Sequence, residues 1–480
     1  MTMSLDVSTS ILTIGFVVME LLGIVAAVHA VMSTRTAQSA IAWSISLVTF
    51  PWVTLILYVI FGRNKFQGYI SLRSMKDESL KHIMDGCCRE AAEMEFLGRK
   101  LTPFEIVLTR LAALPVTRFN KCRLLINGDA TFRSVFQSIA SAKDYILAQF
   151  YIIRDDTLGR KLKNRLIQKA REGVTVYFLY DEIGSFQLPA SYLRDMRNAG
   201  VRVSSFHTTK GKANHFQLNF RNHRKIIVVD GHVAYSGGHN VADEYVSEHV
   251  RFGPWRDTHV QMEGPVVKMV QYCFIQDWYW ATDTIPDLNW DLMRVEDGDE
   301  ETLVMASGPA DSLETCSLMF IHAIQEARER FWIASPYFVP DVQILNAMKL
   351  AVLRGVDVRI LIPEKPDHRT IHLASFSYYE NTIPFGIRLY RYKEGFMHQK
   401  VFLMDSRVAA IGTVNLDNRS FRLNFEFTLL NFNASFVKNV EKMLQKDFSQ
   451  SRLVTLAEFN RRSFFFKLAS RSARLLAPVL

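Results

Sequence analysis

The sequence predicts an α/β fold built on a duplicated domain and preceded by two membrane helices. Three observations carry that reading: two long apolar stretches near the start, strand-like runs alternating with helical segments further on, and one motif that occurs twice. With 480 residues, 49% hydrophobic and 22% charged, the chain has enough apolar material for sizeable cores. The same figures exclude a disordered, collagenous or disulfide-scaffold protein.

Ile11 to Met32 is a 22-residue stretch broken only by Glu20 and His29, and Ala40 to Phe61 is another 22 residues without a charge. About 20 apolar residues cross a bilayer core as a helix, so both stretches qualify. A signal peptide is the rival for the first stretch, but the basic residues that should precede it are missing. Pro51 is expected to kink the second helix, and Glu20 to face the partner helix or a polar cavity. The first ten residues carry no Lys or Arg, the connecting loop carries Arg35, and the second stretch is followed by Arg63, Lys65, Arg73 and Lys76. The positive-inside rule therefore makes residues 1–63 a hairpin with the long remainder in the cytoplasm. Five cysteines, Cys87, Cys88, Cys122, Cys273 and Cys316, are odd in number and lack CxxC spacing, which fits a reducing compartment rather than a zinc ribbon or a secreted framework. Lys and Arg number 57 against 48 Asp and Glu, a net +9. Such a balance attracts an anion and leaves open nucleic acid, a lipid surface or a phosphorylated substrate.

Residues 64–119 are charged and mixed in sign, and read as a helical connector. Beyond them, strand-like runs such as Tyr145 to Ile152 alternate with helical stretches ending in Gly, an α/β pattern. Phe150-Tyr151-Ile152 followed by Gly173-Val174-Thr175-Val176 is echoed by Pro336-Tyr337-Phe338 followed by Gly355-Val356-Asp357-Val358. That period is far too long for a solenoid and reads as a duplicated domain.

Each copy contains H-x-K-x4-D: His223, Lys225 and Asp230 in one, His398, Lys400 and Asp405 in the other. A Gly stands 14 residues after each His (Gly237, Gly412) and an Asn 17 after (Asn240, Asn415). One such motif is a weak signal, whereas two copies with matching offsets are a strong one. Ile226 to Val229 and Val401 to Met404 read as buried strands, and period-2 alternation puts each His and Lys on one face. An imidazole beside an ammonium suits a tetrahedral anion, and the Asn amides add donors for its oxygens. Asp230 and Asp405 have the opposite parity and read as turn or strand-end residues.

On these residues the chain resembles the phospholipase D superfamily, whose signature is this duplicated motif, and within it is similar to the bacterial cardiolipin synthases. Further matches are Gln149-Phe150-Tyr151-Ile152, Trp255-Arg256-Asp257-Thr258-His259 and Asn415-Leu416-Asp417-Asn418-Arg419-Ser420-Phe421. The resemblance covers nearly the whole chain. It implies two α/β/α halves, residues 120–285 and 286–480, about a pseudo-two-fold axis with one shared active site. Both motifs, including Asp230 and Asp405, would form the catalytic set, with no metal or other cofactor; neither CxxC nor HExxH occurs. Family usage makes His223 the nucleophile and His398 the acid. An acid some 25 to 35 residues past each histidine orients it in related enzymes, which points to Asp257 for His223 and Glu426 for His398. The implied reaction is phosphatidyl transfer between two phosphatidylglycerols at the bacterial inner membrane, with anionic lipids as partners, no nucleic acid, and homo-oligomerisation left open.

A hydrolytic phospholipase D differs only in accepting water. A membrane-tethered nucleic-acid-binding protein would need a continuous basic stripe with aromatic platforms, and here the basic residues are spread out. A scaffold without catalysis is disfavoured by two intact His-Lys pairs. The tail after Glu458 carries Arg461, Arg462, Lys467, Arg471 and Arg474 among Phe464, Phe465, Phe466 and Leu468, as either a helix on anionic lipid or a packing helix with a solvated basic face. The many phenylalanines, 34 in all, fit an acyl channel or ordinary core.

Overall fold

The first apolar stretch forms one helix, α1 (Thr2–Ser33), whose segment Ile11–Ser33 alone among the described residues is long and apolar enough to cross a membrane. The structure, a computed structural model, describes residues 2–34, 36–62, 82–91, 100–206, 219–247 and 253–479, with Tyr69, Leu80 and Phe96. They fall into two units, Met1–Ser71 with Thr208–Phe220, and Leu72–His207 with Arg221–Leu480.

In the first unit the second apolar stretch is divided rather than kinked, into α2 (Ala37–Thr49) and α3 (Pro51–Phe61). The cause is local. Pro51 lacks the N–H that would continue the helix, and its ring drives Phe50 out of the helical region, to φ −136° and ψ 58°. Ala27, Ala30, Leu47 and Tyr58 form a small core among the three helices. A Cβ on Gly23 would lie 2.5 Å from the Leu47 carbonyl oxygen, so only glycine allows this approach. His29 Nδ1 and the Tyr58 hydroxyl lie 2.7 Å apart, giving the imidazole a partner within the bundle. Glu20 is half-buried on α1. Arg35, Arg63, Lys65, Arg73 and Lys76, on which the orientation reading rests, lie outside the described residues, as does much of the connector.

The second unit is organised by a sheet of sixteen strands. Its first seven long strands are β1 (Thr117–Ile126), β2 (Tyr145–Phe150), β3 (Thr175–Asp181), β4 (Arg202–Phe206), β5 (Ile226–Val229), β6 (Val233–Gly237) and β7 (Thr258–Glu263). The next eight are β8 (Glu300–Ser307), β9 (Arg330–Ala334), β10 (Asp357–Pro363), β11 (Arg388–Tyr392), β12 (Val401–Met404), β13 (Val408–Gly412), β14 (Asn424–Asn431) and β15 (Ser451–Leu453). Across the sheet the first set runs β1-β7-β6-β5-β2-β3-β4, and the second runs β8-β14-β13-β12-β9-β10-β11 and then β15. The two sets thus have the same strand order and meet where β1 pairs antiparallel with β8. Asn120 fixes that junction: its Nδ2 donates to the carbonyls of Thr117 and Glu300, and its Oδ1 accepts from Val266 N. Because such a polar group is buried, its replacement would leave several backbone groups unpaired.

The strands expected around the twin motifs are β5 and β12, with every residue buried. The glycine of each offset pair ends the next strand. A Cβ on Gly237 would lie 2.5 Å from Thr258 O, and one on Gly412 2.1 Å from Phe427 O, so both positions exclude a side chain. All five cysteines are free.

Asp230 and Asp405, expected in the catalytic set, are bonded as backbone anchors. Each follows its strand, at the end away from the histidine, in the left-handed region (φ 51° and 54°). The Asp230 carboxylate accepts from the backbone N–H of Lys143, Asp144 and Tyr145 at 2.8 Å each. Asp405 accepts from Arg328, Glu329 and Arg330 in the same way. Each aspartate therefore locks the entry to the neighbouring strand, β2 or β9. Asp230→Ala is expected to cost about 2–4 kcal/mol through unsatisfied donors and a disfavoured φ. Urea unfolding of the full chain in detergent checks this. Full stability with lost activity would instead put Asp230 in the chemistry.

The basic tail forms a helix, Phe464–Arg474, capped by Ser463. One face packs: Phe466 meets Phe376 with ring centroids 5.1 Å apart, and Ser470 Oγ donates to Leu373 O. Phe464, Phe465, Leu468 and Leu475 remain exposed, so packing and an uncovered apolar face coexist on one helix.

Candidate active site

Each histidine leads directly into its strand. His223 precedes β5 and His398 precedes β12, and both line one cavity of about 630 Å³. Asn240, Asn415 and Asn424 line it as well.

The carboxylates cross between the two sets of strands, which corrects the expected pairing of Asp257 with His223 and Glu426 with His398. His223 Nδ1 lies 2.9 Å and 3.1 Å from the two Glu426 oxygens, and His398 Nδ1 lies 2.8 Å from Asp257 Oδ2. Two short parallel pairings cause the exchange. Arg221–Asn222 pairs with Asn424–Phe425, and His223 N donates to Phe425 O, so the next residue, Glu426, falls beside the ring. In the same manner Trp255–Arg256 pairs with Phe396–Met397, and His398 N donates to Arg256 O, which brings Asp257 to the other ring. Sequence distance is thus a poor guide to which acid serves which histidine.

A carboxylate only accepts, so Nδ1 of His223 carries the proton and its Nε2 offers a lone pair, while Nδ1 of His398 faces both Asp257 Oδ2 at 2.8 Å and Lys400 Nζ at 2.9 Å. Glu426 is fixed by Thr413 Oγ1, which donates to Oε2 at 2.5 Å, and by Asn424 Nδ2, which donates to Oε1 at 3.1 Å. Asp257 Oδ1 accepts from Thr258 N at 2.8 Å. Aromatic rings pack both imidazoles. Tyr151 stands 5.0 Å from His223, and Trp255 stands 5.2 Å from His398, between ring centroids.

Burial governs the protonation states. It pushes His223 down to about 4 against the opposing pull of Glu426. It pushes His398 well below the usual range, with Lys400 adding to the effect. Lys225 is pushed well below its ordinary value by burial, and Lys400 is pushed down to about 8. Burial alone would raise Glu426, but His223 and Lys225 hold it below the usual carboxylate range. Two imidazoles and two lysine amines, all held toward their neutral forms, are therefore crowded into one buried site. An entering anion relieves that crowding, so the site is built to take one up and to gain a proton with it.

Both lysines turn onto their own motif. Lys225 Nζ donates to His223 O at 2.6 Å, and Lys400 Nζ donates to His398 O. Asn240 is partly committed, since its Oδ1 accepts from Ile152 N and its Nδ2 donates to the Tyr245 hydroxyl. One N–H of that amide remains for a ligand. Asn415 Oδ1 has no hydrogen-bond partner among the described residues.

Sequence reasoning missed the groups that hold the site in place. Arg224 Nη1 pairs with Asp277 at 3.0 Å while its Nε donates to Glu426 O. Arg256 makes a two-pronged contact to Asp447 at 2.8 and 2.7 Å, all of it buried. Arg224 and Arg256 adjoin motif residues and were visible as neighbours, but Asp277 and Asp447 lie on helices with no periodic signal to single them out. Among the described residues that line the cavity, Phe186 is the phenylalanine.

Comparison with known proteins agrees with this architecture. A family described as "Cardiolipin synthase, PLD-like domain" matches residues 135–250 and 320–448, which contain both histidines, and one described as "Phospholipase_D-nuclease N-terminal" matches residues 21–63. Cardiolipin synthase A of Pseudomonas putida KT2440 is 48% identical over 466 residues, covering 96% of each chain. Cardiolipin synthase A of Pseudomonas fluorescens Pf-5 is 47% identical over 465 residues, covering 96% of this chain and 97% of that one. The crystal structure of a phosphatidylserine synthase from Haemophilus influenzae shares the fold, with a TM-score of 0.60 at 13% identity over 79% of this chain and 100% of that one. Twin motifs, matched strand orders and near-full-length identity lead to one conclusion: the chain belongs to the PLD-like cardiolipin synthase family.

Proposed function

We propose that this enzyme transfers a phosphatidyl group from one phosphatidylglycerol to another, giving cardiolipin and glycerol. The observation that carries the reading is the pair of crossed His–carboxylate contacts facing one cavity. Displacement at a phosphodiester needs a nucleophile on one side and an acid on the other. His223 Nε2 attacks phosphorus, the bond from phosphorus to the glycerol oxygen breaks, and His398, which takes up a proton at Nε2 as the anionic lipid enters, delivers that proton to that oxygen. Glycerol leaves a phosphohistidine behind. A hydroxyl of the second phosphatidylglycerol then gives its proton to His398 and attacks phosphorus, and the P–N bond breaks to restore His223. Lys225, Lys400, Asn240 and Asn415 steady the phosphoryl oxygens as charge develops. Glu426 and Asp257 are positioning residues that hold each ring in the required tautomer.

The matched strand order supports two halves, 120–285 and 286–480, about a pseudo-two-fold axis, with 64–119 as connector. We assign the membrane hairpin to 1–63, with α1 as one crossing and α2 with α3 as a broken second one. The basic residues after it orient the catalytic part toward the cytoplasm. The exposed Phe464, Phe465 and Leu468, beside Arg471 and Arg474, suit contact with anionic lipid.

Labelled phosphatidylglycerol in bilayers tests the reading, with products separated by thin-layer chromatography. Cardiolipin and glycerol are expected as main products, with phosphatidic acid minor, because the bilayer concentrates the alcohol acceptor while burial keeps water from the intermediate. Chiefly phosphatidic acid would make the enzyme a hydrolase.

A further inference from the structure

Transfer between two phosphatidylglycerols brings two phosphates into one cavity. The donor's phosphate is the one attacked. The acceptor keeps its own, joined through a three-carbon glycerol to the hydroxyl that attacks. Lys225, Lys400, Asn240 and Asn415 are engaged with the reacting phosphate, and a second anion beside it is repelled unless a further cation meets it.

Among the described residues outside the two motifs, the basic side chains that line the cavity are Arg154, His368 and Arg419. Arg154 is balanced by Glu244, which lies 3.6 Å away and lines the cavity too. The His368 ring is largely exposed, where water screens its charge, and lies 3.9 Å from Asp367 Oδ2. Arg419 differs from both. It is half-buried, and the charge that acts on it most is another guanidinium, Arg221. Arg221 stands in register with Asn424, itself a cavity residue. Both arginines act on Tyr151, whose ring lies 5.0 Å from that of His223. Burial and Arg221 together hold Arg419 below its ordinary value. The carboxylates that pull the other way, Asp417 and Asp181, are each pushed up to about 6 by burial and are occupied with backbone N–H groups.

The backbone around Arg419 is firmly held. Leu416–Asp417 pairs with Phe338–Val339, Asp417 caps the helix Asn418–Arg422 by accepting from Ser420 N at 2.7 Å, and Asn418 Nδ2 donates to Val339 O at 3.0 Å. A guanidinium carries five donors in one plane, so a phosphate can take two while others serve the protein.

We propose that Arg419 binds the phosphodiester that the acceptor lipid retains, and so selects an alcohol bearing a phosphate over neutral alcohols and water. The assignment rests on the phosphatidyl-transfer reading and adds to it the residue that recognises the second substrate. Positive charge crowded at Arg419 and Arg221 is relieved when that anion arrives.

The test is a competition within one sample. The full chain in phosphatidylglycerol vesicles receives two labelled acceptors together, glycerol and glycerophosphoglycerol, which is phosphatidylglycerol stripped of its acyl chains. Label transferred into lipid from each is counted. The parent chain should prefer the phosphate-bearing acceptor. Arg419→Gln should lower the glycerophosphoglycerol-to-glycerol ratio about tenfold, the scale of one charge-assisted contact, with transfer to glycerol continuing. Arg419→Lys, which keeps the charge, should lose less. An internal ratio does not depend on how much protein has folded, so a poorly folding variant still reports. An unchanged ratio in Arg419→Gln would overturn the assignment while leaving phosphatidyl transfer intact. Equal falls in both variants would trace the effect to shape rather than charge and overturn it as well. A parent chain that transfers to neither acceptor would overturn the transfer reading, and the assignment with it.

Discussion

A Glu426→Gln chain is expected to transfer phosphatidyl groups about 10³–10⁴ times more slowly than the parent, the scale seen when a buried carboxylate behind a catalytic histidine becomes an amide. The substitution keeps shape and removes charge. The amide has one acceptor oxygen where Glu426 serves His223, Thr413 and Asn424 together. His223 then loses the partner that fixes its tautomer and balances the positive ring formed when Nε2 bonds to phosphorus. The crossed geometry makes the experiment sharper than a simple loss. Asp257→Asn should weaken proton delivery through His398. A phosphatidyl substrate carrying p-nitrophenol needs little help from an acid. With that substrate, Asp257→Asn should still release a burst of nitrophenol and label His223, whereas Glu426→Gln should not. The reverse pattern would mean that each acid serves the histidine of its own half.

His223→Ala should cost on the order of 10⁵-fold or more and abolish any covalent lipid adduct, because the nucleophile itself is gone. Adding Glu426→Gln to it should then change nothing further, since groups acting as one unit are not additive. His398→Asn removes the acid and spares the nucleophile. It should therefore trap an adduct on His223, most readily with the activated leaving group. Mass spectrometry after an acid-free quench locates the adduct. Its appearance on His398 would exchange the two roles.

Much of this site is legible in the chain because its information is local. His223, Lys225, His398 and Lys400 stand two residues apart on extended segments, and β5 and β12 are short apolar runs with one available reading. The glycine offsets were visible too, and their meaning is steric: neighbouring backbone fills the space where a side chain would go. Asp230 and Asp405 carried a correct parity signal, and the grouping of three letters into one motif obscured it. Both orienting acids, Asp257 and Glu426, were singled out from the sequence, but which histidine each serves was not legible, because two-residue pairings between distant segments leave no periodicity. Nor was the break at Phe50, where proline's missing N–H and its ring outweigh an uninterrupted apolar composition.

The crossed contacts also set an order in time. His223 and Glu426 are 203 residues apart, so at roughly 5–20 residues per second the ribosome supplies the acceptor some tens of seconds after the nucleophile. Throughout that interval the growing chain holds a histidine with no carboxylate behind it. A chain cut between the two sets of strands is in the same position on both sides, each fragment keeping one histidine and the acid that belongs to the other. Reactivity toward lipid is thereby expected to wait until synthesis and docking are complete, with a truncated product inert toward the bilayer.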